Sequence, residues 1–251
     1  MEIRISQPFA LNEQGGRANN EDAVFPEKGS ATTENRLFIV CDGVGGLQAG
    51  EVASRTVCQA MASRLERFPA EGFSAVVFQQ ALDFAYDQLD AVVGDSKAGT
   101  TLAFLFLSVR GAFIAHIGDS RVYHLRKASG VWKLYKTQDH SLVNDMLRAG
   151  MLNEEEARNH SKKNVITRAM QPHPTQRARA DIYETTDVQS HDYFFLCSDG
   201  ILEQIDDDLL KTILRDSDTA EEMIRRMHTL CEGNTKDNFS AYLVPVQSVT
   251  E

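Results

Sequence analysis

Acids recur at the ends of short apolar runs in this chain, a spacing that could do chemistry. Leu37 to Cys41 is an apolar run rich in branched side chains, ending at Asp42 and followed by Gly43, Gly45 and Gly46. Ala112 to Ile117 closes on Gly118-Asp119-Ser120-Arg121, and Tyr193 to Cys197 closes on Ser198-Asp199-Gly200. Asp237 stands just before the run Phe239 to Val244, and Asn20-Glu21-Asp22 precedes Ala23-Val24-Phe25. One Asp-Gly pair alone is ordinary turn chemistry. Repeated placement at strand ends predicts one carboxylate-lined site assembled from distant parts of the chain. Packed carboxylates repel one another unless protons or cations neutralise them. An all-oxygen donor set favours hard ions such as Mg²⁺ or Mn²⁺. Arg17 carries the fork that grips a phosphate with two hydrogen bonds, and it equally fits an ordinary surface arginine.

The elements that must position these residues follow from periodicity. The apolar runs ending at Asp42, Asp119 and Asp199 read as buried strands, with a short strand near Ile3-Arg4-Ile5 before them. Residues 26–36 read as a loop. Ala53, Val57, Ala60, Met61, Leu65 and Phe68 follow helical spacing, and Phe78, Ala81, Leu82, Ala85, Leu89 and Val92 repeat it. These stripes read as core faces of two amphipathic helices. Leu102 to Val109 and Ala112 to Ile117 flank Arg110-Gly111 as a tight hairpin, and Arg121 to Arg126 and Val131 to Lys136 flank a second turn. Residues 141–149 read as helix, and Asn153-Glu154-Glu155-Glu156 resembles a capping box. Residues 160–180 are locally basic through Lys162, Lys163, Arg168, Arg177 and Arg179. Residues 141–170 therefore read as a polar helical insertion beside the site, a composition that also suits a solvated surface excursion. Helices near Asp207–Leu214 and Thr219–Cys231 precede a last strand, Phe239 to Val246. Helices after the first strands and again near the end suit an α+β sandwich with antiparallel sheets inside.

Composition limits the function. The chain has 251 residues, 42% of them hydrophobic, enough for one large domain with a full core. A formal net charge of −10 argues against a general binder of nucleic acid or anionic membrane. It leaves room for an anionic substrate, because bound cations reverse the local field. The four cysteines, Cys41, Cys58, Cys197 and Cys231, form no C-x-x-C pair. A reducing, cytoplasmic setting is the expectation. No signal-peptide core or membrane-length apolar run is present. The seven histidines form no ligand pattern; His116 and His124 fall in strands, and His140 reads as a structural hydrogen-bonding residue.

Taken in order, the motifs resemble the metal-dependent protein phosphatases, the type 2C serine/threonine phosphatases of bacterial type. The resemblance rests on Arg17-x-x-Asn20-Glu21-Asp22, Asp42-Gly43-x-Gly45-Gly46, Gly99-Thr100-Thr101, Gly118-Asp119-Ser120-Arg121 and Asp139-His140-Ser141. It continues through Val165-Ile166-Thr167-Arg168-Ala169, Ser198-Asp199-Gly200 and Asp237-Asn238, and it spans roughly residues 10–246. It implies a single catalytic domain over residues 1–251, built as a four-layer α-β-β-α sandwich with residues 141–170 as a small helical flap. It implies two Mn²⁺ or Mg²⁺ ions bridged by Asp42, with Asp199 and Asp237 completing one and the Gly43 carbonyl, Glu21 and Asp22 serving the other. Asp119 corresponds to the ligand of a third, weaker ion. Such a centre makes water nucleophilic near neutral pH. Arg17 would hold the phosphate in line and offset developing charge, a catalytic role shared with Asp42. The implied partners are phosphorylated proteins, including a serine/threonine kinase and its targets, with no nucleic acid or membrane partner and a monomeric state.

The chain departs from the family pattern at two places. Many eukaryotic members carry His where this chain has Val44, and Gly233-Asn234 replaces a glycine pair before the last acid. For Asp119 a plainer role is open, pairing with Arg121 or capping a turn. A catalytically silent binding module on the same fold, or a metal-dependent nuclease, would use the same residues differently. Silent relatives of this kind lose metal-binding acids, and here all are present.

Overall fold

Alternation along the strands sorts the interior into three apolar layers. The structure, a computed structural model, describes residues 2–45, 49–94 and 97–250. Gly46 lies outside the described residues. The strands are β1 (Glu2–Ile5), β2 (Phe9–Glu13), β3 (Ala23–Phe25), β4 (Leu37–Cys41), β5 (Gly43–Val44), β6 (Gly99–Thr100), β7 (Leu102–Ser108), β8 (Gly111–Ile117), β9 (Arg121–Ala128), β10 (Val131–Lys136), β11 (Asp181–Thr185), β12 (Tyr193–Cys197) and β13 (Phe239–Thr250). The helices are α1 (Ala49–Leu65), α2 (Ala75–Val93), α3 (Leu142–Arg148), α4 (Glu154–Asn159), α5 (Asp199–Leu202), α6 (Asp207–Arg215) and α7 (Ala220–Cys231).

One large sheet runs β11-β8-β7-β4-β3; a second runs β1-β13-β12-β9-β10, with β2 also on β13; β5 and β6 form a separate pair. The strand pairings are antiparallel. Successive side chains of a strand face opposite ways, so each strand feeds two layers. In β4, Leu37, Ile39 and Cys41 meet α1 and α2, while Phe38 and Val40 face the second sheet. In β12, Phe194 and Leu196 face the first sheet, while Phe195 and Cys197 meet the later helices. The result is the expected α-β-β-α sandwich.

The helices begin where capping chemistry allows. Ser74, Ser141, Asp206 and Thr219 accept backbone N–H bonds as N-caps of α2, α3, α6 and α7, and Asn153 and Glu156 form the expected capping box. Two hairpins differ by a residue or two from the expected turns. Ser108 pairs with Gly111, so the first turn is Val109-Arg110. In the second, Ala128 pairs with Val131 across Ser129-Gly130, both at positive φ, the geometry whose twist matches the strands.

Rings from β7, β8 and α2 lock the first layer. Phe104 is fully buried, with the Phe78 centroid at 4.9 Å and Phe73 at 6.3 Å. Phe104→Ala should cost about 3–5 kcal/mol by the transfer and cavity terms together. Urea unfolding checks this, and a loss below about 1 kcal/mol would show that the layer collapses around the gap.

Candidate active site

Asp42 leaves β4 with its backbone held on both sides. Its N–H donates to Thr101 Oγ1 at 3.0 Å, and its carbonyl accepts from Thr101 N at 2.9 Å and Thr100 Oγ1 at 2.9 Å. The neighbouring strands β3 and β7 are in register with β4, so the carboxylate projects from a rigid end. Gly43 follows where no side chain fits: a Cβ there would meet Gly50 O at 2.3 Å and Glu21 O at 2.6 Å. That approach brings the start of α1 and the Glu21 backbone against the Asp42 turn. Gly43 N donates to Glu21 O at 3.2 Å, and Ser54 Oγ donates to the same oxygen at 2.5 Å.

The Gln14–Asp22 segment is tied to β13 by one buried amide. Asn238 accepts from Glu21 N at 2.8 Å and donates to Gln14 O at 2.6 Å and Asn19 O at 2.8 Å. Asp22 is buried and accepts from Ser198 Oγ at 2.9 Å, one residue before Asp199. The sequence reading gave Asn238, Ser198, Thr100 and Thr101 no role of their own. Their signal was only that each adjoins an acid or closes a motif.

The remaining acids arrive from three directions. Asp119 follows β8, Asp199 opens α5 directly after β12, and Asp237 stands two residues before β13. Asp119 is not the ion-pair partner of Arg121. That guanidinium forks onto Asp139, with both bonds at 2.7 Å, and donates to Tyr123 Oη at 3.1 Å. Arg17 also spends its fork on a carboxylate: Nε reaches Asp237 Oδ1 at 2.8 Å and Nη2 reaches Oδ2 at 2.5 Å.

These acids act on one another. Burial raises Asp42 well above the ordinary carboxylate range, and Asp22, Asp199, Asp119 and Asp237 add to it. Asp22 is pushed up to about 7 by burial, with the hydroxyls of Ser240 and Ser198 opposing and Asp199 and Asp237 reinforcing. Asp119 is pushed up to about 7 by burial, then by Asp199 and Asp139. Asp199 rises to about 6 through burial and Asp237. Asp42, Asp119, Asp199 and Asp237 are half-buried, closely surrounded by protein yet open on one side. Asp199 Oδ1 is buried with no hydrogen-bond partner among the described residues. An oxygen-only donor set, strong mutual repulsion and an orphaned carboxylate oxygen fit hard divalent cations. Glu21 joins through its backbone, and its Oε2 lies 2.6 Å from where a Gly50 Cβ would stand.

A separate trio, His116, His140 and Asp181, brings three potential ligand atoms within 4.8 Å. Each of its residues already has hydrogen-bond partners in the protein. His140 Nδ1 accepts from Gly118 N at 3.1 Å, so Nε2 of the neutral ring donates to Asp181 at 3.1 Å. His116 Nε2 bonds Gln138 O at 2.8 Å, the two rings stack at 4.5 Å, and Arg168 holds Asp181 at 2.8 Å. Burial pushes both imidazoles below their usual value. The trio anchors the Asp119 turn to the feet of the 141–170 segment.

A family model described as Protein phosphatase 2C matches residues 14–244. The serine/threonine protein phosphatase PstP of Mycobacterium tuberculosis is 29% identical over 245 residues, covering 92% of this chain. The chain spans 43% of that relative's length. The crystal structure of M. tuberculosis PstP/Ppp superposes with a TM-score of 0.82 at 28% identity, covering 98% of this chain and 100% of that one. A second crystal structure, the PstP catalytic domain with two manganese ions, gives 0.78 at 28% identity over 98% and 100% of the two chains.

The acid cluster sets a pH dependence with a definite sign. Folded-state pKa values above the unfolded 3.8 mean that the metal-free protein binds more protons than its unfolded chain. The associated stability is present below about pH 4 and is lost as pH rises through about 6 to 7. Asp42→Asn removes one of these charges. In metal-free protein it should raise Tm at pH 8 by about 3 °C or more, and by clearly less at pH 5, closer to the unfolded pKa. Thermal melting at the two pH values checks this, and a lower Tm at pH 8 would contradict it.

Proposed function

This chain belongs to the protein phosphatase 2C family, and on that premise we propose that it hydrolyses phosphoserine and phosphothreonine monoesters in proteins. The carrying observation is the convergence of Asp22, Asp42, Asp119, Asp199 and Asp237, each of which appears among the groups shifting another's protonation. We assign Asp42 to bridge two divalent cations, with Asp199 and Asp237 holding one and Glu21, Asp22 and the Gly43 carbonyl serving the other. Asp119 would serve a third. When bound there, Mn²⁺ or Mg²⁺ supplies an acidified water and neutralises phosphoryl oxygens.

The chain's own groups do the positioning. Thr100 and Thr101 fix the Asp42 backbone, and with it the point from which the central carboxylate projects. Arg17 uses Nε and Nη2 on Asp237, which leaves Nη1 to donate to an incoming phosphoryl oxygen from an exposed side chain. The same bond orients Asp237. Arg17 thus couples phosphate placement to the orientation of one carboxylate, rather than gripping phosphate with the whole fork.

We further assign residues 1–251 to one catalytic domain with 141–170 as its flap. In support, the feet of that segment meet at a Ser141–Ile166 bridge, with Leu142 N on Val165 O and Thr167 N on His140 O, both 2.8 Å. Among the described residues no helix is long and apolar enough to cross a membrane. The four buried free thiols suit a reducing cytoplasm. Phosphorylated proteins, a serine/threonine kinase and its targets among them, are the proposed substrates, met by a monomer.

The test is release of phosphate from a phosphothreonine peptide. Wild-type protein with Mn²⁺ should turn the peptide over, and chelation should abolish this. Arg17→Ala should lower kcat/KM by about tenfold or more through lost phosphate orientation. Its Mn²⁺ affinity, read by calorimetry, should stay within about threefold of wild type, because Asp237 Oδ1 also accepts from Asn238 N at 2.8 Å and keeps its orientation. Turnover in rigorously metal-free protein would refute the reading, and collapsed Mn²⁺ affinity would refute the role of Arg17.

A further inference from the structure

Two buried hydroxyls join the turn that carries Asp119 to the backbone that carries Asp42. Thr101 Oγ1 and Ser120 Oγ lie 2.6 Å apart, and the residues are 1% and 0% exposed. Thr101 closes a two-bond ring with Asp42: its hydroxyl accepts the Asp42 N–H at 3.0 Å and its N–H donates to the Asp42 carbonyl at 2.9 Å. The methyl group of the same threonine faces Gly118, where a Cβ would meet Thr101 Cγ2 at 2.6 Å and φ is +100°. The Asp119 turn therefore straddles Thr101, with Gly118 against its methyl and Ser120 on its hydroxyl.

We propose that the Thr101–Ser120 hydroxyl pair is a positioning device that fixes the Asp119 turn relative to Asp42 before any cation arrives. Without it, repulsion between carboxylates at the two strand ends drives them apart. With it, one buried oxygen satisfies the Asp42 N–H and anchors the neighbouring turn. Both hydroxyls are shut away from solvent, so their part is played through the acids they place. Threonine suits the position because it supplies a hydroxyl and a methyl on opposite sides. The inference rests on the assignment of Asp42 and Asp119 as cation ligands.

The experiment is calorimetric Mn²⁺ titration of the metal-free 251-residue chain, with thermal melting alongside. Thr101→Val keeps the shape and removes the oxygen; it should weaken the tight ions and the weak ion together by about tenfold, as for other groups that orient ligands. Thr101→Ser keeps the oxygen and should stay within about threefold of wild type. Ser120→Ala should weaken chiefly the weak ion. Because the hydroxyls act as a unit, Thr101→Val with Ser120→Ala should bind Mn²⁺ no more weakly than Thr101→Val alone. Wild-type Mn²⁺ affinities in Thr101→Val, or additive losses in the double variant, would overturn the proposal. If Thr101→Val does not fold, Ser120→Ala decides, and an unchanged weak-ion affinity overturns it. Failure of the phosphatase assignment is separately visible: wild-type protein would leave phosphopeptides intact while Mn²⁺ affinity still followed the hydroxyls.

Discussion

Burial first, and then the mutual approach of carboxylates where β4, β8 and β12 converge with the Asn20–Asp22 segment, make Asp22, Asp42, Asp119 and Asp199 hold protons more tightly than free carboxylates. Burial of several like charges at one end is the constraint around which the structure is arranged. Carboxylates on flexible loops would separate and lose it. Here each is fixed within a residue or two of a buried strand or by hydrogen bonds to its own backbone, so the charge stays concentrated until cations or protons offset it.

The packing supplies that rigidity. Three apolar layers clamp β4 and β12 on both faces, leaving only their ends free to carry chemistry. Polar bonds finish the task locally: Thr100 and Thr101 on Asp42, Asn238 across the Gln14–Glu21 segment, Ser198 on Asp22. Arg121 with Asp139, and the His116–His140 stack, brace the Asp119 turn from the side facing residues 141–170. A site with so much fixed negative charge stays in place only because its surroundings are over-determined.

Features set by local pattern were legible in the sequence. The apolar runs before Asp42, Asp119 and Asp199 and the helical stripes of α1 and α2 could be read directly. So could the capping box at Asn153, because periodicity and caps are properties of neighbouring residues. Features set by distant partners were not. β2 buries only Leu11 fully and exists through its pairing with β13, so it lacks a periodic signature. α5 spans four residues, fewer than an amphipathic stripe needs. The first hairpin turn shifted because Gly111, at φ +124°, pairs with Ser108 and approaches Thr185 O. Arg17 and Asp237 are 220 positions apart, as Asn238 is 217 from Glu21, and no spacing rule reaches that far. Residue types announced an acid-lined site; only the fold showed which hydrogen bonds hold it.

Proton release on cation binding tests this account most directly. Metal-free protein at pH 6 would be titrated with Mn²⁺ in two buffers of different ionisation enthalpy. Acids raised to about 6 and about 7 retain protons at that pH and must lose them as they become ligands. The account predicts release of about one proton or more per ion pair bound, shrinking toward zero by pH 9. Binding with no proton released at pH 6 would contradict the claim that burial and like-charge repulsion hold protons on these acids.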